Sequence, residues 1–245
     1  MMIIKEIKAK SILNKSSIGD YTINPYIGCQ HSCRYCYADY YTKKIHHVNL
    51  DWGSYIFVKI NAPSLLLKEI VKKKGIVYLS SLTDPYQPIE GKYKLTRKLL
   101  EILLAYKWPL IIQTKSSLVL RDLDIIRRFN EIEVGFTIIT LNEEKRKKFE
   151  PFASQVKERI EALRKLKEAG IKTFAFLGPI LPDTELSEIE ELIRKVNFAD
   201  KIYIDKLNYK PGLEEKIPVR WFKDKKFYEK LKKEFSSMKK IVFVY

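Results

Sequence analysis

Three cysteines are all the chain has, and they fall within the single stretch Cys29-Gln30-His31-Ser32-Cys33-Arg34-Tyr35-Cys36. An odd number packed this closely makes a poor disulfide framework. Clustering instead argues for shared ligation in a reducing compartment. Spacings of four and three in one curled loop let three thiolates point at a common centre. A four-iron cluster normally takes four thiolates. With three, one iron keeps an open coordination position, the mark of a working metal site rather than a structural one. Zinc is the alternative, with His31, His46 or His47 as a fourth ligand. Common structural zinc sites, however, separate two short cysteine pairs. A redox pair Cys33/Cys36 would leave Cys29 unexplained.

The elements that must hold this loop alternate between short β-rich runs and longer helical patterns. Strands are expected at Tyr21–Pro25, Ile76–Ser80, Leu110–Thr114, Glu133–Ile139, Lys172–Leu177 and Lys201–Ile204, each rich in Val, Ile, Tyr, Phe or Thr. Helices are expected near Pro63–Lys74, Thr96–Lys107, Arg121–Asn130, Ser154–Ala169, Glu185–Val196 and Lys225–Phe235, with an edge strand in the tail Ile241–Tyr245. In the fourth, Val156, Ile160, Leu163 and Leu166 form an apolar stripe and Gly170 stands where a helix terminator belongs. Such alternation calls for parallel strands joined by right-handed crossovers. Six units are too few for a closed eight-fold barrel, so the expectation is an α/β fold of the partial, open TIM-barrel type, about (β/α)6. A doubly wound open sheet is the runner-up. With no linker or composition break, residues 1–245 read as a single domain, its core at about 20–205 and a C-terminal extension at 206–245. Parallel strands put the cysteine loop, Ser81–Pro88, Lys115–Ser117, Thr140–Glu143, Gly178–Pro182 and Asp205–Asn208 on one rim, where barrel enzymes build their sites.

Hydrophobic residues at 46% and charged residues at 31% describe a folded chain. The opening MMIIKEIKAKSIL lacks a signal peptide's apolar core, and no apolar run approaches the ~18 residues that span a bilayer. A cytoplasmic address without a membrane partner is expected. The net charge of +16 favours a polyanion such as nucleic acid. Many of the lysines, though, lie in short helical stretches where solvated faces are ordinary.

CxxxCxxC with Tyr35 before the last cysteine resembles the cluster loop of radical S-adenosylmethionine enzymes. More narrowly, NPYIGCQHSCRYCYA, SLTDPYQPIE, KLTR, TKSSLVLRDLDII and the EPFAS…RIEALRKLKEAGI…GPILP run resemble the spore photoproduct lyase-like, or DNA repair photolyase-like, group. The resemblance runs from about Tyr21 to Pro182. It implies a [4Fe-4S] cluster on Cys29, Cys33 and Cys36, an external one-electron donor, and S-adenosylmethionine cleaved to a 5′-deoxyadenosyl radical that abstracts hydrogen from substrate. Tyr35 and Tyr37 would lie beside the cluster and adenine. Ser81, Thr83 and Asp84 match the segment that receives the methionine ammonium, and Lys115 suits the methionine carboxylate. Thr137 or Thr140 would bond the ribose, and Pro179 would help wall the adenine. Glu150 and Arg159 are candidates for a supporting ion pair.

One departure matters. Spore photoproduct lyase uses a cysteine beyond the cluster to return hydrogen to its product. Here all three cysteines belong to the loop, and the equivalent stretch reads Tyr78-Leu79-Ser80. Either Tyr37 is the catalytic hydrogen carrier or the reaction differs. Three functions follow: radical chemistry on a nucleic acid; radical chemistry on a protein, peptide or small molecule; or a zinc-stabilised nucleic-acid-binding protein without catalysis.

Overall fold

A computed structural model describes residues 2–245. The first strands are β1 (Ile3–Ile7), β2 (Leu13–Lys15), β3 (Tyr21–Ile23) and β4 (Tyr26–Ile27), followed by helix α1 (Tyr37–His46) and β5 (Tyr55–Lys59). A regular alternation begins with α2 (Ala62–Ile70), β6 (Val77–Leu79), α3 (Glu90–Tyr93), α4 (Leu95–Ala105) and β7 (Leu110–Thr114). It continues through α5 (Leu123–Ile126), β8 (Ile132–Thr137), α6 (Glu143–Phe149), α7 (Val156–Glu168) and β9 (Lys172–Ile180). The chain closes with α8 (Leu186–Val196), β10 (Lys201–Lys206), α9 (Lys225–Phe235) and β11 (Ile241–Phe243).

The large sheet has the order β11-β10-β9-β8-β7-β6-β3-β2. Its inner strands are parallel and adjacent in chain order, and β2 alone joins antiparallel at one edge. A doubly wound sheet requires the order to reverse at a switch point, and here it never does. The fold is α/β with a mostly parallel sheet, consistent with the partial barrel, and no pairing closes β2 onto β11. The expected edge strand forms as β11, parallel to β10.

Differences lie where local pattern is weakest. The strand expected at Tyr21–Pro25 forms over Tyr21–Ile23 as β3 in the large sheet; just past it, the unexpected β4 pairs with β5, which also carries β1. The stretch expected as one helix at Arg121–Asn130 is a 3₁₀ turn over Ser117–Asp122 and the short α5. Helix α7 forms as expected, its backbone start capped reciprocally by Gln155 and Glu158. Its buried face is Val156, Arg159, Ala162, Leu163 and Leu166, so an arginine completes the apolar stripe while Ile160 is only partly covered. Each fully covered leucine there contributes about 1.5–3 kcal/mol. On β8, Gly135 leaves room for the Phe174 ring of β9, which a Cβ would meet at 2.3 Å. The segment after β10 reaches back to α1, with Lys216 Nζ 2.7 Å from Asp39 Oδ2 and Lys210 Nζ 5.2 Å from the centre of the Tyr41 ring.

Candidate active site

The cysteine loop leaves β4 through Gly28, whose φ of +88° belongs to the left-handed region. A Cβ there would fall 2.3 Å from the Tyr55 carbonyl oxygen, so only glycine permits this approach. Backbone turns then fold the loop on itself: Ser32 N–H donates to Cys29 O and Cys36 N–H to Cys33 O, both at 3.3 Å. From one side it is braced by the segment that follows β6. Thr83 Oγ1 donates to Gly28 O at 2.6 Å, Gln87 Nε2 donates to Thr83 Oγ1 at 2.8 Å, and Gln30 N–H donates to Gln87 Oε1 at 2.8 Å.

From the other side it is bolted to the end of α6. Arg34 N–H donates to Phe149 O at 2.9 Å, and the Tyr35 hydroxyl donates to Glu150. Glu150 is fully buried, as is Arg159, whose Nη1 stands 2.5 Å from it and also donates to Thr137 O at 3.0 Å. This pair is no surface ornament. Burial alone would raise the Glu150 carboxyl, but Arg159 and Lys115 outweigh it and hold it below the usual carboxylate range. A chain of contacts thus runs from α7 through Glu150 to the aromatic ring between Cys33 and Cys36.

The three thiols of the loop suit an iron–sulfur cluster, and among the described residues no histidine stands with them as a fourth ligand for zinc. All three sulfurs are free thiols close enough to influence one another electrostatically. Burial pushes the Cys29 thiol up to about 12, and it also raises Cys33, against which Lys115 pulls. Metal binding must therefore expel protons into the solvent, with the Lys115 cation left to offset the thiolates. Burial would lower the Lys115 ammonium itself, but Cys33 and Glu150 outweigh that and raise it. Among the described residues no three His, Cys, Asp or Glu side chains gather round a single-ion site. His31 is turned away, with Nδ1 3.1 Å from Phe152 O and Nε2 3.3 Å from Asp84 Oδ2. His46 and His47 end α1, outside the loop.

Cys36 opens onto a cavity of about 1400 Å³ inside the barrel. Tyr35, Tyr37, Ser81, Lys115, Thr137 and Pro179 share its wall, so the fold brings together six of the residues singled out from sequence. The Tyr37 hydroxyl donates to Ser81 O at 2.6 Å, and Lys115 Nζ lies 5.8 Å from the centre of the Tyr35 ring. Three expected cofactor contacts are placed elsewhere. Asp84 is buried behind the wall, where both its oxygens are occupied: Thr114 Oγ1 donates to one at 2.7 Å and Lys115 N–H to the other at 2.8 Å. Burial would raise its carboxyl, but His31 and these donors hold it down at about 2. Thr83 is spent on the loop brace described above. Thr140 is fully buried and bonded to Glu188 and to Asn142 N–H, one step past the wall. Asp205, from the rim segment expected after the sixth strand, lines the cavity, and so does Gln113, which was not anticipated. Gln113 occupies an inward strand position between Tyr78 and Thr137, bonding both. Only strand alternation could have pointed to it.

The model of the radical SAM superfamily matches residues 23–196. The chain belongs to the radical S-adenosylmethionine superfamily. This radical SAM protein is 42% identical to an uncharacterized protein of Methanocaldococcus jannaschii, over 87% of this chain and 81% of the relative. In three dimensions it resembles spore photoproduct lyase complexed with dinucleoside spore photoproduct, with a TM-score of 0.70 at 17% identity, covering 99% of this chain and 82% of that one. It also resembles Streptococcus suis SuiB bound to precursor peptide SuiA, with a TM-score of 0.60 at 14% identity, covering 91% of this chain and 48% of that one. At such identities the likeness shows a shared fold. Membership makes the chain an enzyme of the radical SAM class, with a [4Fe-4S] cluster and S-adenosylmethionine as the implied cofactors. Among the described residues no helix is long and apolar enough to cross a membrane.

Proposed function

We propose that this radical SAM enzyme acts on a nucleic acid, holding its cluster on Cys29, Cys33 and Cys36 and its cofactor in the cavity onto which Cys36 opens. The observation that carries the reading is that one cavity joins the cysteine loop to a wall rich in lysines and aromatic rings, Lys10, Lys15, Lys59, Lys206 and Lys210 among the former. When bound, the cluster and S-adenosylmethionine supply a 5′-deoxyadenosyl radical for hydrogen abstraction, with the electron drawn from an external donor. The chain's own residues bind, orient and exclude water. Lys115 is a fixed cation suited to the methionine carboxylate. Thr137 Oγ1 accepts a bond from Gln113 at 2.8 Å and keeps its hydrogen for a ribose hydroxyl. Pro179 offers an apolar edge to the adenine. Tyr37 presents a phenol to the same space and, with no cysteine left over, is the candidate for returning a hydrogen atom to the product.

The charge of +16 and the dinucleoside spore photoproduct complexed by one structural neighbour support a nucleic acid; the precursor peptide bound by the other supports the alternative of a peptide substrate. Anaerobic reconstitution should give about four irons per chain, and addition of a reductant should release 5′-deoxyadenosine. Stoichiometric zinc without iron would overturn the radical reading. Binding of an oligonucleotide that weakens steeply with salt is expected; no binding near physiological salt would sink the choice of substrate.

A further inference from the structure

Lys59 ends β5 with only 7% of its surface exposed, yet it lines the cavity. Its position is fixed from three sides. Its backbone N–H donates to Pro25 O at 3.1 Å, and it stands in register with Ile7 of β1. Just beyond it, the Asn61 side chain clamps Ala9, accepting from its N–H at 2.8 Å and donating to its carbonyl at 2.9 Å. Burial lowers its ammonium to about 8, and among the described residues no carboxylate or hydrogen-bond acceptor offsets that. A buried cation without a partner is costly. An anion entering the cavity would supply the missing charge.

The surroundings select the sign and size of that partner. Lys10, Lys15 and His46 share the cavity wall with Lys59, and so does the half-turn of α1 that carries Thr42. Two carboxylates reach the same wall. Glu133 is already paired, 2.5 Å from Lys172 and 3.4 Å from Lys201, and Asp205 belongs to β10. The cysteine loop and Lys115 account for the cofactor; nothing assigned to the cofactor uses Lys59.

We infer that Lys59 is an oxyanion subsite for substrate, taking a backbone phosphodiester of the nucleic acid at the β5 side of the cavity. The inference rests on the nucleic-acid reading above and says where a phosphate would sit. Lys59 then positions the strand while aromatic rings elsewhere on the same wall offer faces to a base.

The test uses the full, cluster-loaded chain and a fluorescent single-stranded oligodeoxynucleotide, read by anisotropy from about 50 to about 200 mM salt. Lys59→Gln should weaken binding about ten-fold or more, with a log–log salt slope shallower by about 0.7, the share of one phosphate contact on a single strand. Lys59→Arg should restore both. Because Lys59→Gln removes an unpaired buried charge, its unfolding midpoint should not fall below wild type's; a drop would show the ammonium paired within the protein and overturn the inference. Wild-type binding with an unchanged Lys59→Gln isotherm removes the subsite alone. Wild type that binds no oligonucleotide removes the nucleic-acid reading and the subsite together. An effect of Lys59→Gln confined to an acidic peptide also overturns it.

Discussion

Replacing Glu150 by Gln tests the link between α7 and the cysteine loop. Both members of the Glu150–Arg159 pair are fully buried, and Glu150 also accepts from the Tyr35 hydroxyl. The substitution keeps the shape and removes the charge, leaving the Arg159 guanidinium uncompensated. Breaking a buried pair in this way costs about 3–5 kcal/mol. For a domain of this size, each kcal/mol moves the unfolding midpoint by about 2–4 °C, so a fall of about 6–20 °C is expected. The folded carboxyl lies below its unfolded value of about 4.3. Its contribution is therefore complete above that pH and is lost as the pH drops through the lower, folded value. The gap between wild type and variant should be constant from neutral pH to about pH 5 and narrow below about pH 4. A double replacement, Glu150→Leu with Arg159→Met, should recover most of the loss, since apolar isosteres of a buried pair are often neutral or stabilising. Denaturant melts of the three proteins, with iron content after reconstitution as a second readout, decide the matter. Stability of Glu150→Gln within about 1 kcal/mol of wild type, or a double variant no better than the single, would refute the reasoning.

Cys33→Ala should take up little iron and release no 5′-deoxyadenosine under reducing conditions; release at the wild-type rate would end the radical mechanism. Lys115→Ala should weaken S-adenosylmethionine binding by about 10–150-fold, the equivalent of a charged hydrogen bond of about 1.5–3 kcal/mol, as read by equilibrium dialysis. Unchanged affinity would free Lys115 from the cofactor. Gly28→Ala should destabilise by about 1–3 kcal/mol and lower iron content, because its Cβ would meet the Tyr55 carbonyl. Asp205 has its carboxyl raised to about 6 by burial, so above that pH the fold holds a charge that the unfolded chain carries more readily. Asp205→Asn should melt higher than wild type at pH 7.5, with the advantage vanishing below about pH 3, where the carboxyl is protonated in both states. Equal melting at the two pH values would argue against the burial.

Radical chemistry was legible from the residues because three thiols in eight positions have few other uses, and ligand spacing is a local property of the chain. The order of the parallel strands was legible for a similar reason: buried strands read as continuous Val, Ile and Phe runs, and short crossovers leave adjacent runs little choice but to pair. Helix α7 and the final helix at Lys225–Phe235 followed from 3.6-residue periodicity. By contrast, what each polar side chain does depends on neighbours distant in the chain. Asp84 and Thr140 have residue types and rim positions suited to a cofactor, but packing turned their oxygens toward Thr114, Lys115, Glu188 and Asn142. Arg159 falls on the apolar face of its helix, and only Glu150 arriving from the end of α6 makes that tolerable. Strand β4 was not anticipated because two residues carry no period of their own, and pairing with β5 decided their place. The unpaired ammonium of Lys59 could not be foreseen at all, since whether a charge is alone is a statement about everything around it. Sequence by itself determined the chemistry and the winding of the chain. Tertiary structure decided which polar groups were free to face the cavity, because hydrogen bonds and desolvation act through space rather than along the backbone.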